Sequence, residues 1–359
     1  MIRTIRYYLF ITALLLLYSC SSSNSVHDST LKQTNDGKYD SEFPSRNASK
    51  ELEEISNTIR MINSIAFYES YIFPDESKFK KDQIHTINFE KEAAQKVYYN
   101  NTASGTGTII LNDNGLLGLI TVAHIVSFPD TVVSYFIHPD GTYSEYVQSV
   151  SVKSRQTNYV SDFPGNGELE IIALDKDKDL ALLGKQYPSD LTIMMPVFNY
   201  KWGSSEELEW GDFVYVFGFP MNFKVLSKGI VSSLKKENNI FLIDAVFNKG
   251  CSGGIVLAIR DGVPNFELVG LVKSVPAEFE NYIRPLTKER DLEYSPLLPY
   301  KGDVYVDKEQ ILRMGITKVI GIEIVKDFLK ENQDLLLRHG FYFKDLFNVP
   351  KEMRLIQTH

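Results

Sequence analysis

Residues 247–259 read FNKGCSGGIVLAI and set a thiol, Cys251, beside a hydroxyl, Ser252, in a run of glycines. Glycine clusters with serine mark turns, and the β-branched apolar run that follows has the composition of a strand. The stretch therefore predicts a turn that feeds a buried strand. Whether Cys251, Ser252 or neither is a nucleophile depends on the rest of the chain, because a serine hydroxyl is inert until a base takes its proton.

The chain has 359 residues, 43% hydrophobic and 23% charged, a globular composition with room for two modest domains. Its 22 Phe and 20 Tyr favour β structure over a helical bundle. Net charge is −8 and basic residues form no long run, which argues against nucleic acid as a partner. No cofactor motif, phosphate loop or metal-ligand cluster appears, so neither cofactor nor metal is expected.

The first twenty residues have a different texture. Arg3 and Arg6 precede the apolar YYLFITALLLLYSC, and SSSNS follows. That order reads as a secretory signal, shorter than the roughly 20 apolar residues of a spanning helix. Its ending, LLYSC, resembles a bacterial lipobox, with Leu17 three residues before Cys20. The resemblance implies removal of residues 1–19, acylation of Cys20 and an exported envelope lipoprotein held at a membrane by its lipid. Cys251 is then left without an intramolecular disulfide partner.

Residues 20–49 are polar and predict a disordered tether. In KELEEISNTIRMINSIAFYESYIF (50–73), Leu52, Ile55, Ile59, Ile62 and Ile65 recur at helical spacing, which predicts one amphipathic helix within an N-terminal segment 50–94. From 95 to 275 the chain reads as many short strands without regular strand–helix alternation, against a doubly wound α/β fold. Pro285, Pro296 and Pro299 with several charges mark 277–316 as a surface insertion. VIGIEIVKDFLKENQDLLLRHG (319–340) predicts a strand and a helix ending near Gly340, with 341–359 as a tail.

Gly-Cys-Ser-Gly-Gly also fits the Gly-x-Ser-x-Gly elbow of α/β-hydrolases, and chain order separates the two readings. The hydrolase order is Ser, acid, His, which would require His339 or His359 and a parallel sheet. Trypsin-like proteases run His, Asp, Ser. Upstream of Ser252, His124 ends the apolar LITVAH, whereas His138 lies in the turn sequence HPDG. In DKDKDLALL, Asp179 abuts the apolar Leu180–Leu183 and is the acid placed for burial. Asp175, Asp177 and Asp179 alternate like the start of a calcium loop, but Leu180 and Gln186 stand where such a loop needs Gly and Glu.

Together TGTIILNDNGLLGLITVAHIV (106–126), DKDLALL (177–183), GDFVYVFGFP (211–220), SKGIVSSL (227–234) and LIDAVFNKGCSGGIVLAIRDG (242–262) resemble successive blocks of trypsin-like serine proteases of the HtrA type. GIEIVKDFL (321–329) resembles that family's last strand and helix, so the likeness covers roughly residues 95–335. It implies a mainly β fold of two antiparallel six-stranded β-barrels, one about 95–186 and one about 205–335, with an N-terminal and a C-terminal helix. Ser252 would be the nucleophile, His124 its base and Asp179 the group that holds the imidazole, with the N–H groups of Gly250 and Ser252 forming the oxyanion hole. The same likeness implies polypeptide substrates and a side-chain pocket of Val246, Phe247, Asn248, Gly270, Leu271 and Val272. None of these is acidic, which implies small or medium aliphatic side chains, with Lys273, Glu278 and Glu280 able to reshape the cleft. Cys251 replaces the family's usual Asn, and Lys249 and Ile255 each replace a Pro. The twenty or so residues after Gly340 are too few for the PDZ domain many of these proteases carry. The competing function is a catalytically silent binding or scaffold protein on the same fold, and the sequence gives no oligomeric state.

Overall fold

The computed structural model describes residues 35–44, 46–138, 142–188, 195–235, 239–245, 248–274, 277–285, 304–312 and 315–343. The signal segment with Cys20, the pocket residues Val246 and Phe247, and His359 lie outside them.

Two rings of strands dominate. The first contains β1 (Ile59–Ile72), β2 (Gln95–Asp113), β3 (Leu116–Thr121), β4 (Thr131–Ile137), β5 (Tyr143–Tyr159), β6 (Glu168–Asp175) and β7 (Leu180–Gln186). Pairing runs β1-β2-β3-β7-β6-β5 and closes from β5 back to β1, with β4 appended to β5. The second contains β8 (Lys201–Trp202), β9 (Phe213–Gly218), β10 (Val225–Lys235), β11 (Ile240–Ile243), β12 (Ile255–Ile259) and β13 (Phe266–Ser274). A hairpin of β14 (Ala277–Pro285) and β15 (Val304–Leu312) follows, and β16 (Thr317–Gly321) completes the ring β12-β9-β10-β11-β16-β13, closed by β12 on β13. β8 adds to β13 in parallel. Each ring is thus a closed antiparallel six-stranded barrel with one appended strand, and closure leaves few exposed edges. The insertion is a two-stranded sheet of its own where it is described.

The segment 50–73 is not one helix. Only Ser49–Ser56 is helical (α1), and β1 pairs with β2 along its full length and with β5 from Asn63 onward. Its burial alternates, with Ile62, Ser64, Ala66, Tyr68 and Ser70 pointing inward. Helical spacing would put Ile62 and Ile65 on one face, whereas the two-residue period of a strand puts Ile65 on the other. The first barrel therefore begins at Ile59, and QKVYYN and TGTIILN are two parts of the single strand β2. A one-turn helix, α2 (Phe89–Glu92), precedes β2, and Phe89 packs on Tyr71 and Phe73.

The stretch expected as a loose tether is partly bound. Tyr39 is buried, donates its hydroxyl to Glu267 Oε2 at 2.8 Å and accepts the Ser204 N–H at 2.9 Å. Glu267 is itself buried and is met by Lys201 Nζ at 2.6 Å and Arg260 Nε at 3.1 Å, so its charge is compensated on several sides. The Asp40 N–H donates to Ile259 O and the Asp40 carbonyl accepts the Phe213 N–H, each at 2.9 Å.

At the other end, β16 runs into α3 (Ile322–Glu331) and α4 (Gln333–Arg338), so the predicted helix is broken at Asn332. Gly340 (φ 82°) ends it, and the Phe341 N–H turns back to Leu336 O at 2.8 Å. The Phe341 ring lies over Gly118 and Gly184, which pair across β3 and β7; a Cβ on Gly184 would come within 2.5 Å of the ring. Phe341 and Phe343 are buried, so the tail is docked at least that far.

The alternation in β1 sets a stability prediction. Ile62→Ala should destabilise the protein by about 2–5 kcal/mol, the cost of an emptied core site. Ile65→Ala, on the outer face, should cost about 1 kcal/mol or less. Urea unfolding of the two variants measures the difference, and equal losses would contradict the strand register.

Candidate active site

The site is built where the first barrel's turns meet a loop of the second. Asp179 closes the β6–β7 hairpin with φ 58°, a left-handed conformation that Asp tolerates better than most side chains. The hairpin is shaped by Asp175, whose Oδ1 accepts the N–H groups of Asp177 (3.0 Å) and Lys178 (2.8 Å). The carboxylate that the calcium pattern drew attention to is thus the turn's own cap.

Asp179 is only 7% exposed and grips the turn after β3 at several points. Its backbone oxygen accepts the Ala123 N–H (3.1 Å), and its Oδ1 accepts the His124 N–H (2.9 Å). His124 Nδ1 lies 3.0 Å from Oδ2 and 3.1 Å from Oδ1. Flanking Ala123 and Ile125 are buried and anchor the turn, while the His124 side chain is 44% exposed. An imidazole held through Nδ1 at a buried carboxylate has its Nε2 directed away from that partner, toward an accessible surface. His138 and His339 are both exposed, and neither has a bond to Asp179 among the described residues.

The loop 248–254 carries the opening motif. The Cys251 N–H donates to Asn248 O (3.2 Å) with Gly250 at φ 100°, the positive φ that the third residue of a type II turn requires. A Cβ on Gly250 would collide with Phe219 O, so only glycine fits. The Lys249 carbonyl is turned outward to accept the Met221 N–H (3.2 Å). Among the described residues, neither the Gly250 nor the Ser252 N–H has a hydrogen-bond acceptor. Gly253 (φ 83°) and Gly254 then lead into β12, bonded to Val272 in both directions at 2.8 and 2.7 Å.

This loop is fastened to the first barrel by Thr106, which is fully buried on β2. Its N–H donates to Ser252 O (2.7 Å), its hydroxyl donates to Gly250 O (2.8 Å) and accepts the Phe219 N–H (3.1 Å). At the adjacent Gly105, a Cβ would lie 2.5 Å from Ile125 and 2.9 Å from Ser252 O, so the His124 turn and the Ser252 loop approach across one glycine. No hydrogen bond joins Ser252 Oγ to His124 among the described residues.

Cys251 faces the other way. It is 1% exposed, inside the second barrel's core with Val214, Val216 and Val256, and burial pushes its thiol up to about 12. A neutral, sealed thiol is no nucleophile. Of the expected pocket residues, Asn248 is half-buried, but Leu271 and Val272 are at 0–1% exposure within the barrel cores. Gly270 pairs with Val256 and Gly321 in the barrel wall. Val272 is the one of these that bonds the loop, through Gly253 and Gly254, and the Leu271 and Val272 side chains are packed in the cores rather than exposed to an open pocket. Lys273, one residue further on, is the side chain that reaches the site, with Nζ 3.9 Å from Asp179 Oδ2. Sequence reasoning missed Thr106, because nothing local distinguishes a threonine that bonds another barrel from one that merely favours a strand.

Two closed six-stranded barrels with these turns at their junction make a trypsin-like fold. Residues 105–271 match the family model of the trypsin-like peptidase domain, a span that includes His124, Asp179 and Ser252. No curated protein matches the chain. Among solved structures, a thermostable serine protease AL20 from an extremophilic microorganism is similar with a TM-score of 0.33 at 9% identity, covering 73% of this chain and 94% of that one.

The burial of Cys251 carries a prediction with a defined sign. Its folded-state pKa lies above the ordinary thiol value, so its contribution to stability is complete below that value and is lost as pH rises toward about 12. At neutral pH an aromatic disulfide reagent should leave native Cys251 unmodified and titrate it only in urea.

Proposed function

We propose that the chain is a serine endopeptidase of the bacterial cell envelope that cleaves peptide bonds through an acyl-enzyme. The observation that carries this reading is the pairing of His124 Nδ1 with the buried Asp179 carboxylate at 3.0 Å, beside a loop that presents Ser252 and two unpartnered amides.

In this reading, His124 Nε2 takes the Ser252 proton as Oγ attacks the scissile carbonyl carbon. Asp179 accepts the Nδ1–H, holds that tautomer and stabilises the imidazolium that forms. The carbonyl oxygen, now an oxyanion, is received by the N–H groups of Gly250 and Ser252, which removal experiments elsewhere value at about 3–4 kcal/mol per donor. The carbon–nitrogen bond then breaks, the amine leaves with the proton from His124, and water repeats the sequence to release the acid and restore Ser252. The lack of a Ser252–His124 hydrogen bond among the described residues is compatible with this chemistry, because catalytic hydrogen bonds often tighten only in the substrate complex. No specific observation favours the silent-scaffold reading. The lipobox-like LLYSC supports placing the enzyme at a membrane surface by acyl chains on Cys20.

Two experiments test the reading. A fluorophosphonate probe should label the wild-type protein, Ser252→Ala and His124→Ala should abolish labelling with folding intact, and Asp179→Asn should slow it by roughly 10⁴. A wild-type protein that stays unlabelled would remove the enzyme reading. In cells, Cys20→Ala should move the protein from the membrane pellet to the soluble fraction; retention of Cys20→Ala in salt-washed membranes would remove the anchor reading.

A further inference from the structure

Lys273 occupies a position with no counterpart role in the three-residue mechanism. The register of β13 against β16 passes from Val272 opposite Val319 to Ser274 opposite Lys318, so Lys273 is the extra residue of a β-bulge. A bulged residue escapes the ladder and its side chain is re-aimed, a device found next to functional sites. Here it aims an ammonium at Asp179 Oδ2 from 3.9 Å, with the Lys273 side chain 30% exposed and that of Asp179 11% exposed. Among the described residues, no other acceptor or carboxylate lies within bonding reach of Lys273.

Of the other charges on the neighbouring turns, Lys178 and Asp175 are paired and the rest are exposed. Lys178, on the same hairpin, pairs with Glu331 and lies 3.7 Å from Asp175. Asp177 and Lys176 are exposed on the turn, and Lys249 is exposed on the facing loop. Lys273 and His124 therefore share one carboxylate. At 3.9 Å the ammonium is too far to take a hydrogen-bond position from His124, so it acts on Asp179 through charge alone.

We propose that Lys273 is a positioning residue that restrains the catalytic base. The inference rests on the triad reading above. In the transition state the imidazolium and the Lys273 ammonium compete for the field of the same carboxylate, and two like charges are brought together around it. The cation thus lowers the stabilisation that Asp179 gives to His124 as the Ser252 proton is transferred, and basal acylation is slower than the bare triad allows. A change that draws Lys273 off Asp179, such as an acidic substrate group bound beside β13, would release the base.

The test uses a fluorophosphonate probe on the full folded protein at one fixed pH, resolving kinact from KI. Lys273→Met and Lys273→Gln remove the charge with different packing, and Lys273→Arg keeps it. Both neutral variants should raise kinact by about threefold to tenfold with KI unchanged, the scale of a partly screened ion pair, while Lys273→Arg stays at the wild-type value. A kinact that is unchanged or lower in both neutral variants, or raised equally in Lys273→Arg, overturns the proposal. Wild type that labels at Ser252 while the neutral variants gain nothing would refute the restraint and leave the protease reading standing. Absence of labelling in every variant would overturn both, and labelling only after Lys273 is neutralised would make the restraint complete.

Discussion

Thr106 is the residue through which the two barrels are held in register. Fully buried on β2, it uses its N–H, its hydroxyl and its carbonyl: toward Ser252 O, toward Gly250 O and the Phe219 N–H, and toward Thr121 Oγ1 at 2.7 Å. Thr121 is three residues before His124, so the strand that leads to His124, the loop that carries Ser252 and the β9–β10 connection all bond to one residue. Buried hydrogen bonds are directional and expensive to leave unmade. A seam made of them resists sliding in a way that apolar contact between two barrels would not.

The loop gains its shape from what surrounds it. Gly250 and Gly253 adopt positive φ with neighbouring carbonyls where a Cβ would have to go, and Cys251 is drawn inward as an apolar plug. Sealing Cys251 in the core turns its neighbour outward, since adjacent residues on such a turn cannot both face one surface. The hairpin of β12 and β13 links this to the far end of the second barrel. Its β12 begins at the Ser252 loop, and its far turn is clamped by Tyr39, Glu267 and Arg260, where the chain arriving from the N-terminus crosses. A bulge at Lys273 on the same hairpin brings a cation to Asp179, so one supersecondary unit carries the serine loop, its support and a charge on the acid.

Much of the site was legible because its chemistry is tied to local sequence. The order of His124, Asp179 and Ser252, the apolar flanks of His124 and the glycines around Ser252 could be read without a fold. The roles of Leu271 and Val272 could not, because an apolar strand residue looks the same whether it lines a cleft or a barrel core. The misread helix has a similar cause. In β1 the inward positions include Ser64 and Ser70 while Ile65, Phe67 and Ile72 lean outward, so hydrophobicity does not mark the buried face. Small barrel interiors accept small residues, and the long pairing with β2 and β5 outweighs the helical spacing of Ile55, Ile59 and Ile62.

By itself the sequence determined the strand-rich character, the turn glycines, and which histidine and acid pair. Those are properties of single residues and short spacings, where steric limits on φ and the chemistry of side chains operate directly. Only the tertiary structure decided that residues 59–72 are a strand, that the chain after Gly340 docks Phe341 on paired glycines, and that Lys273 meets Asp179. Each of these depends on partners distant in the chain, from Asn63 against Ser104 and Tyr159 to Phe341 against Gly118 and Lys273 against Asp179. Such pairings are fixed by ring closure and packing over the whole domain, a constraint that no local window of sequence contains.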